Sequence, residues 1–109
     1  MKVTLTDISG EVLRDTDVYT VIDNTYLNNL TLSKTILYPL QCTSGHSHNG
    51  LEEVYIFLNG MGRIQLDDKF ISVRPNDVIL IPAGAFHKVY NDSTDSNLEF
   101  TCIFQKYER

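Results

Sequence analysis

Apolar and polar residues alternate with a period close to two from residue 18 onward, and no stretch has the 3.6-residue period of an amphipathic helix. Clusters of Gly, Pro, Asn and Asp interrupt the alternation at short intervals. Short strands separated by such turns are typical of an antiparallel sandwich or barrel, so we predict an all-β antiparallel fold. The predicted strands are 18–23, 30–38, 52–58, 62–66, 69–73, 77–81, 87–91 and 97–105.

The start of the chain does not follow this alternation. We predict that residues 1–17 form an N-terminal arm or a strand exchanged with a second subunit. A chain of 109 residues has room for one hydrophobic core, so residues 1–109 are predicted to form a single domain. Residues 54–58 and 78–81 are apolar on both strand faces. Strands of this kind are covered on both faces, which predicts a homodimer.

The composition narrows the classes of function. A net charge of −5 argues against a basic nucleic-acid-binding surface. No apolar stretch approaches the ~20 residues of a membrane span, and the N-terminus lacks the apolar core of a signal peptide. We therefore expect a cytoplasmic protein without nucleic-acid or membrane partners. In that compartment Cys42 and Cys102 are expected to be reduced, structural residues.

The three histidines of the chain and one glutamate have the spacing of a metal site. His46 and His48 lie two residues apart, which places them on one face of an extended chain. Glu53 follows after a turn, and His87 begins a separate strand. Three nitrogen ligands and one oxygen ligand suit a borderline divalent cation. We therefore predict that His46, His48, Glu53 and His87 bind one divalent transition metal, either Zn, Mn, Fe, Ni or Co.

The segment around the first two histidines resembles the first signature motif of the cupin superfamily. That motif consists of a glycine, a His-x-His pair, a glutamate and a second glycine. The residues in register with it are His46, His48, Glu53 and Gly60, while Leu40 stands at the opening glycine. The motif spacing, together with strand parity, favours Glu53 over Glu52 as the ligand. Leu40 implies an entry to the motif with a different shape.

The second signature motif of the same superfamily resembles the segment that contains the last histidine. The residues in register are Pro82, Gly84, His87 and Asn91, while Asn76 stands at the opening glycine. Asn tolerates positive φ, so Pro75 and Asn76 are still compatible with a type II turn. The resemblance implies an antiparallel double-sheet jelly-roll barrel. It also implies a metal site with open coordination positions, and a structural hydrogen-bonding role for Asn91.

Tyr55 has the same strand parity as Glu53 and is expected to project toward the metal. Its phenol is the candidate catalytic acid or base, and core packing is the alternative role. Lys34, Arg63 and Gln65 lie on strands that can reach the mouth of the pocket. Polar strand residues usually face water, however, so the simpler expectation is that these three face solvent.

The resemblance leaves several functions open, because this superfamily includes isomerases, lyases, oxygenases and plain binding domains. Its sugar isomerases and its members that convert unsaturated uronates favour a metal-dependent enzyme acting on a sugar or sugar-acid carbonyl, by isomerisation or ring opening. The alternatives are an Fe- or Mn-dependent dioxygenase, a lyase similar to the small cupins that cleave dimethylsulfoniopropionate, and a noncatalytic sugar-binding module. One carboxylate leaves a dication net positive, so the expected partner is a small anionic or carbonyl-bearing molecule.

Overall fold

A computed structural model describes residues 1–107, which form nine β-strands and no helix. No helix that could cross a membrane therefore occurs in this part of the chain. Eight of the strands are the predicted ones, and each end lies within one residue of its predicted position. The strands are β1 Glu11–Asp15, β2 Tyr19–Asn24, β3 Leu30–Leu37, β4 Glu53–Asn59, β5 Gly62–Leu66, β6 Lys69–Val73, β7 Val78–Ile81, β8 His87–Asn91 and β9 Leu98–Gln105.

The described strands form two antiparallel sheets. The larger sheet has the order β1-β2-β3-β9-β4-β7, and the smaller has the order β6-β5-β8. Their inner faces share one apolar core, because alternate residues of each strand point to the same side. Phe57 and Phe100 from the large sheet and Ile64 from the small sheet are each at most 1% exposed. The predicted all-β antiparallel jelly roll is confirmed.

The sequence pattern did not predict β1, because all five of its residues are exposed and no apolar alternation marks it. It pairs with β2 of the same chain. The segment before β1 lies on the outer face of the large sheet, where Ile8 is only 2% exposed. There Lys34 Nζ donates a hydrogen bond to Thr6 O at 3.2 Å, and Asn24 Nδ2 donates one to Ile8 O at 2.7 Å. Exchange of this segment between subunits stays a prediction.

Both positions where the motif glycines are replaced keep a left-handed backbone. Asn76 has φ 78° and follows Pro75 in a turn that Asp77 N closes on Arg74 O at 3.1 Å, as the predicted type II turn requires. Leu40 has φ 61°, which is uncommon for a residue with a branched side chain. Leu40 thus adopts a backbone region that glycine enters without strain, and a differently shaped entry to the motif stays a prediction.

Asn91 connects the two sheets beside the site. Its side-chain amide is buried, and Nδ2 donates to Leu37 O at 3.0 Å, to Tyr38 O at 3.1 Å and to Ser96 O at 2.8 Å. Leu37 ends β3 in the large sheet, whereas Asn91 ends β8 in the small one. The contacts agree with the structural role expected for Asn91, since they fix the strand that begins at His87 against the opposite sheet.

Candidate metal centre

His46 and His48 lie in the connection between β3 and β4, in an extended segment that docks on the start of β8. His46 N donates to His87 O at 3.0 Å, and His87 N donates to His46 O at 2.9 Å. The amide of Gly84, which has φ 82°, donates to His48 O at 2.8 Å. These bonds hold the two motif segments side by side. As a result, the ring centroid of His46 lies 4.5 Å from that of His48 and 4.4 Å from that of His87.

Glu53 is the first residue of β4 and points to the inner face of the large sheet, where it is 5% exposed. The neighbouring Glu52 is exposed, as strand parity requires. One donor atom each from His46, His48, Glu53 and His87 lies within 4.8 Å of the other three. The structure thus brings together all four residues of the predicted ligand set, from two strands and one loop.

Two buried atoms of this cluster, Glu53 Oε2 and His87 Nε2, face each other. His87 Nδ1 lies 3.1 Å from Ala85 O, which can only accept, so this contact places a proton on Nδ1 and leaves Nε2 as the ring nitrogen that faces the cluster. That Nε2 lies 2.7 Å from Glu53 Oε2, and apart from this contact neither atom has a hydrogen-bond partner among the described residues. Two such atoms this close need a proton or a metal ion between them. The convergence of His46 and His48 on the same point fits a divalent metal.

The protonation state of Glu53 agrees with a ligand role. Burial raises the pKa of the Glu53 carboxyl, but the hydrogen bond and charge of His87, with the charges of His48 and His46, outweigh burial and lower the pKa from its usual value. The carboxylate is therefore ionised at neutral pH. Deprotonated carboxylates and neutral imidazoles are the forms that bind metal ions.

Three of the four residues, His46, His48 and Glu53, line a cavity of about 400 Å³ on the inner side of the large sheet. One part of its wall is aromatic and the other part carries hydroxyl groups. The aromatic rings belong to Tyr19, Tyr55, Phe100, Phe104 and Tyr107. The remaining hydroxyls belong to Ser33, Thr35, Thr43 and Ser44. A cavity of this size and lining is typical of a site for a small polar molecule.

Tyr55 occupies the position expected of it, on β4 and on the same face as Glu53. Its ring lies 5.7 Å from that of His87 and stacks on Phe100 at 5.4 Å. Burial raises the pKa of the Tyr55 phenol well above its usual value, and the neighbouring Cys102 and Glu53 raise it further. The phenol is therefore neutral at physiological pH and can donate a hydrogen bond.

The three polar strand residues considered for the pocket mouth lie elsewhere. Lys34 points to the outer face of the large sheet and pairs with Glu99 at 3.4 Å. Arg63 pairs with Asp92 at 2.8 Å on the surface of the small sheet, and Gln65 Nε2 donates to Asp67 O at 2.9 Å. None of the three lines the cavity.

The cavity is also lined by residues that the sequence analysis did not connect with a site, among them Tyr107 and Arg14. Tyr107 lies beyond the end of β9, and its Oη is 3.2 Å from His48 Nε2. Arg14 lies on β1. No alternation or motif marks either position, because Tyr107 follows the last strand and Arg14 lies in a strand with no buried residue. Cys102 also lines the cavity, and neither it nor Cys42 forms a disulfide.

Comparison with known proteins bears on both the fold and the site. Residues 36–104 match the family model described as Cupin domain. Over 88 residues the chain is 33% identical to a glucose-6-phosphate isomerase of Pyrococcus furiosus, a match that covers 69% of this chain and 47% of that relative. The chain therefore spans about half the length of this curated relative.

Solved structures with the same fold cover nearly the whole chain. A predicted oxalate decarboxylase from Thermotoga maritima is 21% identical, with a TM-score of 0.74, over 98% of this chain and 100% of its own. The TT1209 protein of Thermus thermophilus is 23% identical, with a TM-score of 0.76, over 86% of this chain and 90% of its own. The family match covers more than half of the chain and includes all four clustered His and Glu residues, so this protein belongs to the cupin family.

Proposed function

We propose that this protein is a metal-dependent enzyme that acts on the carbonyl of a sugar or sugar acid, by isomerisation or ring opening. One observation carries the proposal: the His and Glu cluster opens into a cavity whose wall presents several hydroxyl groups. Structural zinc sites are closed and mostly rich in thiolates, whereas catalytic sites keep a position open for substrate. Hydroxyl groups on the wall suit a ligand that itself carries many hydroxyls.

His46, His48, Glu53 and His87 would hold the metal, which supplies a Lewis acid for the substrate carbonyl when it is bound. Tyr55 then supplies the proton from Oη, because its buried phenol is neutral and lies on the same face as Glu53. Phe100 and Phe104 exclude water from this end of the cavity. The relative from Pyrococcus furiosus, named as a glucose-6-phosphate isomerase, supports a sugar substrate and isomerase chemistry.

The test is turnover by the metal-loaded protein on aldose phosphates, ketose phosphates and unsaturated uronates, followed by NMR. Tyr55→Phe is expected to lower kcat by about 100-fold or more, with unchanged metal content, because general acid–base groups contribute this much. Tyr90→Phe is the matched control, since its phenol contacts Gln65 outside the cavity. An unchanged kcat for Tyr55→Phe would remove Tyr55 from the mechanism.

Further assays of the same metal-loaded protein separate the remaining functions. Oxygen uptake with an iron-loaded protein would identify a dioxygenase, and release of dimethyl sulfide from dimethylsulfoniopropionate would identify the lyase. Tight binding of sugars without turnover would identify a noncatalytic module. Each of these results would contradict the proposed isomerase or ring-opening activity.

We also propose that the protein is a homodimer. Val78 and Leu80 on the edge strand β7 are 53% and 69% exposed. Exposed apolar side chains on an edge strand are a liability that a second subunit removes. Light scattering is expected to give about twice the chain mass of 12.4 kDa. A monomeric mass at micromolar concentration would contradict this.

A further inference from the structure

The cavity has one wall that the proposed chemistry does not use, where Arg14 lies on β1. Arg14 is the only arginine or lysine that lines the cavity in the described part of the chain. Its guanidinium makes no hydrogen bond or ion pair with any residue among 1–107. A cation that faces a cavity without a protein partner is available to a ligand.

A β-bulge directs Arg14 into the cavity. Val12 pairs with Ile22, but Arg14 pairs with Val21, so Leu13 is an extra residue in β1. Without the extra residue Arg14 would oppose Thr20 and point to the outer face, because directly opposed residues share a face. With it, Arg14 shares the inner face with Val21, which is 7% exposed and also lines the cavity.

The inner face of the large sheet thus has a charged residue near each of its two edges. Glu53 lies on β4 and Arg14 on β1, with β2, β3 and β9 between them. Four steps between strands correspond to about 19 Å measured along the sheet. Thr35 and Ser33 of β3 lie between these ends and present hydroxyl groups. A ligand that contacts both ends needs oxygen donors at one end and an anionic group at the other.

We propose that Arg14 binds the anionic group of the substrate, a carboxylate or a phosphate, at the end of the molecule remote from the metal-bound carbonyl. This inference rests on the proposed function, since it identifies the substrate as an anionic sugar. Arginine is suited to the role because its planar fork donates two parallel hydrogen bonds to a carboxylate or phosphate. Arg14 is therefore a specificity-determining residue.

Calorimetric titration of the metal-loaded, full-length protein tests this. The probes are fructose 6-phosphate and glucuronate, with neutral fructose and glucose as their matched partners. The wild type is expected to prefer the anionic sugar of one pair. Arg14→Gln is expected to weaken binding of that sugar by tenfold to hundredfold, because it removes a charged hydrogen-bonding group. The affinity for the matched neutral sugar is expected to stay unchanged. The pair that responds identifies phosphate or carboxylate as the bound group.

Two further variants control for general effects. Arg74→Gln removes the same charge from an exposed site outside the cavity and is expected to bind like the wild type. Arg14→Lys keeps a positive charge and is expected to retain part of the preference. If the wild type binds the sugars and Arg14→Gln keeps the full preference, the role of Arg14 is overturned while the proposed function stands. If the metal-loaded wild type binds no sugar at all, both are overturned.

Discussion

The two faces of the six-stranded sheet bury ionisable groups in opposite ways. On the outer face, Lys34 Nζ lies 3.4 Å from Glu99 Oε1 and donates to Thr6 O at 3.2 Å. A cation there meets acceptors supplied by the same chain. On the inner face, Glu53 Oε2 lies 2.7 Å from His87 Nε2, and neither atom has another hydrogen-bond partner among the described residues. The side chain of Glu99 is 24% exposed, whereas those of Glu53 and His87 are at most 4% exposed, so the inner pair is buried more deeply and has fewer partners within the protein.

The difference teaches that burial of a charge does not by itself mark a functional site. A buried ionic pair whose partners satisfy each other is a structural feature, and often a costly one. A buried set of acceptors without a donor needs a cation from outside the chain. The inner face is therefore expected to gain stability from a bound cation, and the outer face is not.

The largest expected effect is stabilisation by metal on the inner face. A metal ion at 100 times its Kd adds about 2.7 kcal/mol to the free energy of unfolding. For a domain of about 100 residues this raises Tm by roughly 10–20 °C. Differential scanning calorimetry of chelator-treated protein, with and without added Mn²⁺ or Zn²⁺, measures the shift.

The control is His46→Gln with His48→Gln, which removes two ligands from the cavity-facing loop and leaves the buried Glu53 and His87 in place. This variant is expected to lose most of the metal-dependent shift in Tm. An equal shift in the wild type and the variant would show that the metal stabilises the fold from another site.

A smaller effect is expected on the outer face, where a double-mutant cycle separates the partners of the buried pair. Lys34→Met alone is expected to destabilise the protein by about 2 kcal/mol, because the partly buried carboxylate of Glu99 loses its cationic partner and keeps the hydrogen bond from Asn59 Nδ2. Adding Glu99→Met is expected to restore most of this loss, since apolar residues replace both charges. Urea unfolding measures each variant. If the double variant is less stable than Lys34→Met, Lys34 and Glu99 do not satisfy each other's charge, and the described role of the pair is contradicted.

The smallest effect concerns a neutral group on the outer face. Thr101, which pairs with Lys34 across the strands, is 1% exposed, and its Oγ1 has no hydrogen-bond partner among the described residues. Thr101→Val keeps the shape and removes the unsatisfied hydroxyl, so it is expected to stabilise the protein by about 1 kcal/mol. Thr101→Ser keeps the hydroxyl and serves as the control in the same urea experiment. A loss of stability in Thr101→Val would indicate that the hydroxyl is satisfied in solution.

Much of the fold could be predicted because apolar and polar residues alternate along eight of the described strands, and turn residues separate these strands. The exception is β1, whose residues are all exposed and whose bulge at Leu13 shifts the parity of Arg14. Neither feature leaves a periodic trace in the sequence. The positive φ of Leu40 could not be predicted for a related reason, because tertiary contacts hold a conformation that the residue itself disfavours.

The clustering of His46, His48, Glu53 and His87 could be predicted because these residues lie within two short segments with fixed spacing. Arg14 and Tyr107 could not, since they lie near opposite ends of the described chain and reach the cavity only through the order of the strands. A residue that enters a site through long-range topology has no local signal. The ligand set was therefore accessible to sequence reasoning, whereas the residues that shape the cavity around it were not.

The account depends on three imidazoles and one carboxylate that bind a single divalent metal. Elemental analysis of protein purified without a nickel column, before and after incubation with transition-metal salts, measures this directly. The wild type is expected to contain about one ion per chain, and His46→Ala with His87→Ala close to none. Metal-free wild type after incubation, or an undiminished metal content in the variant, would contradict the account.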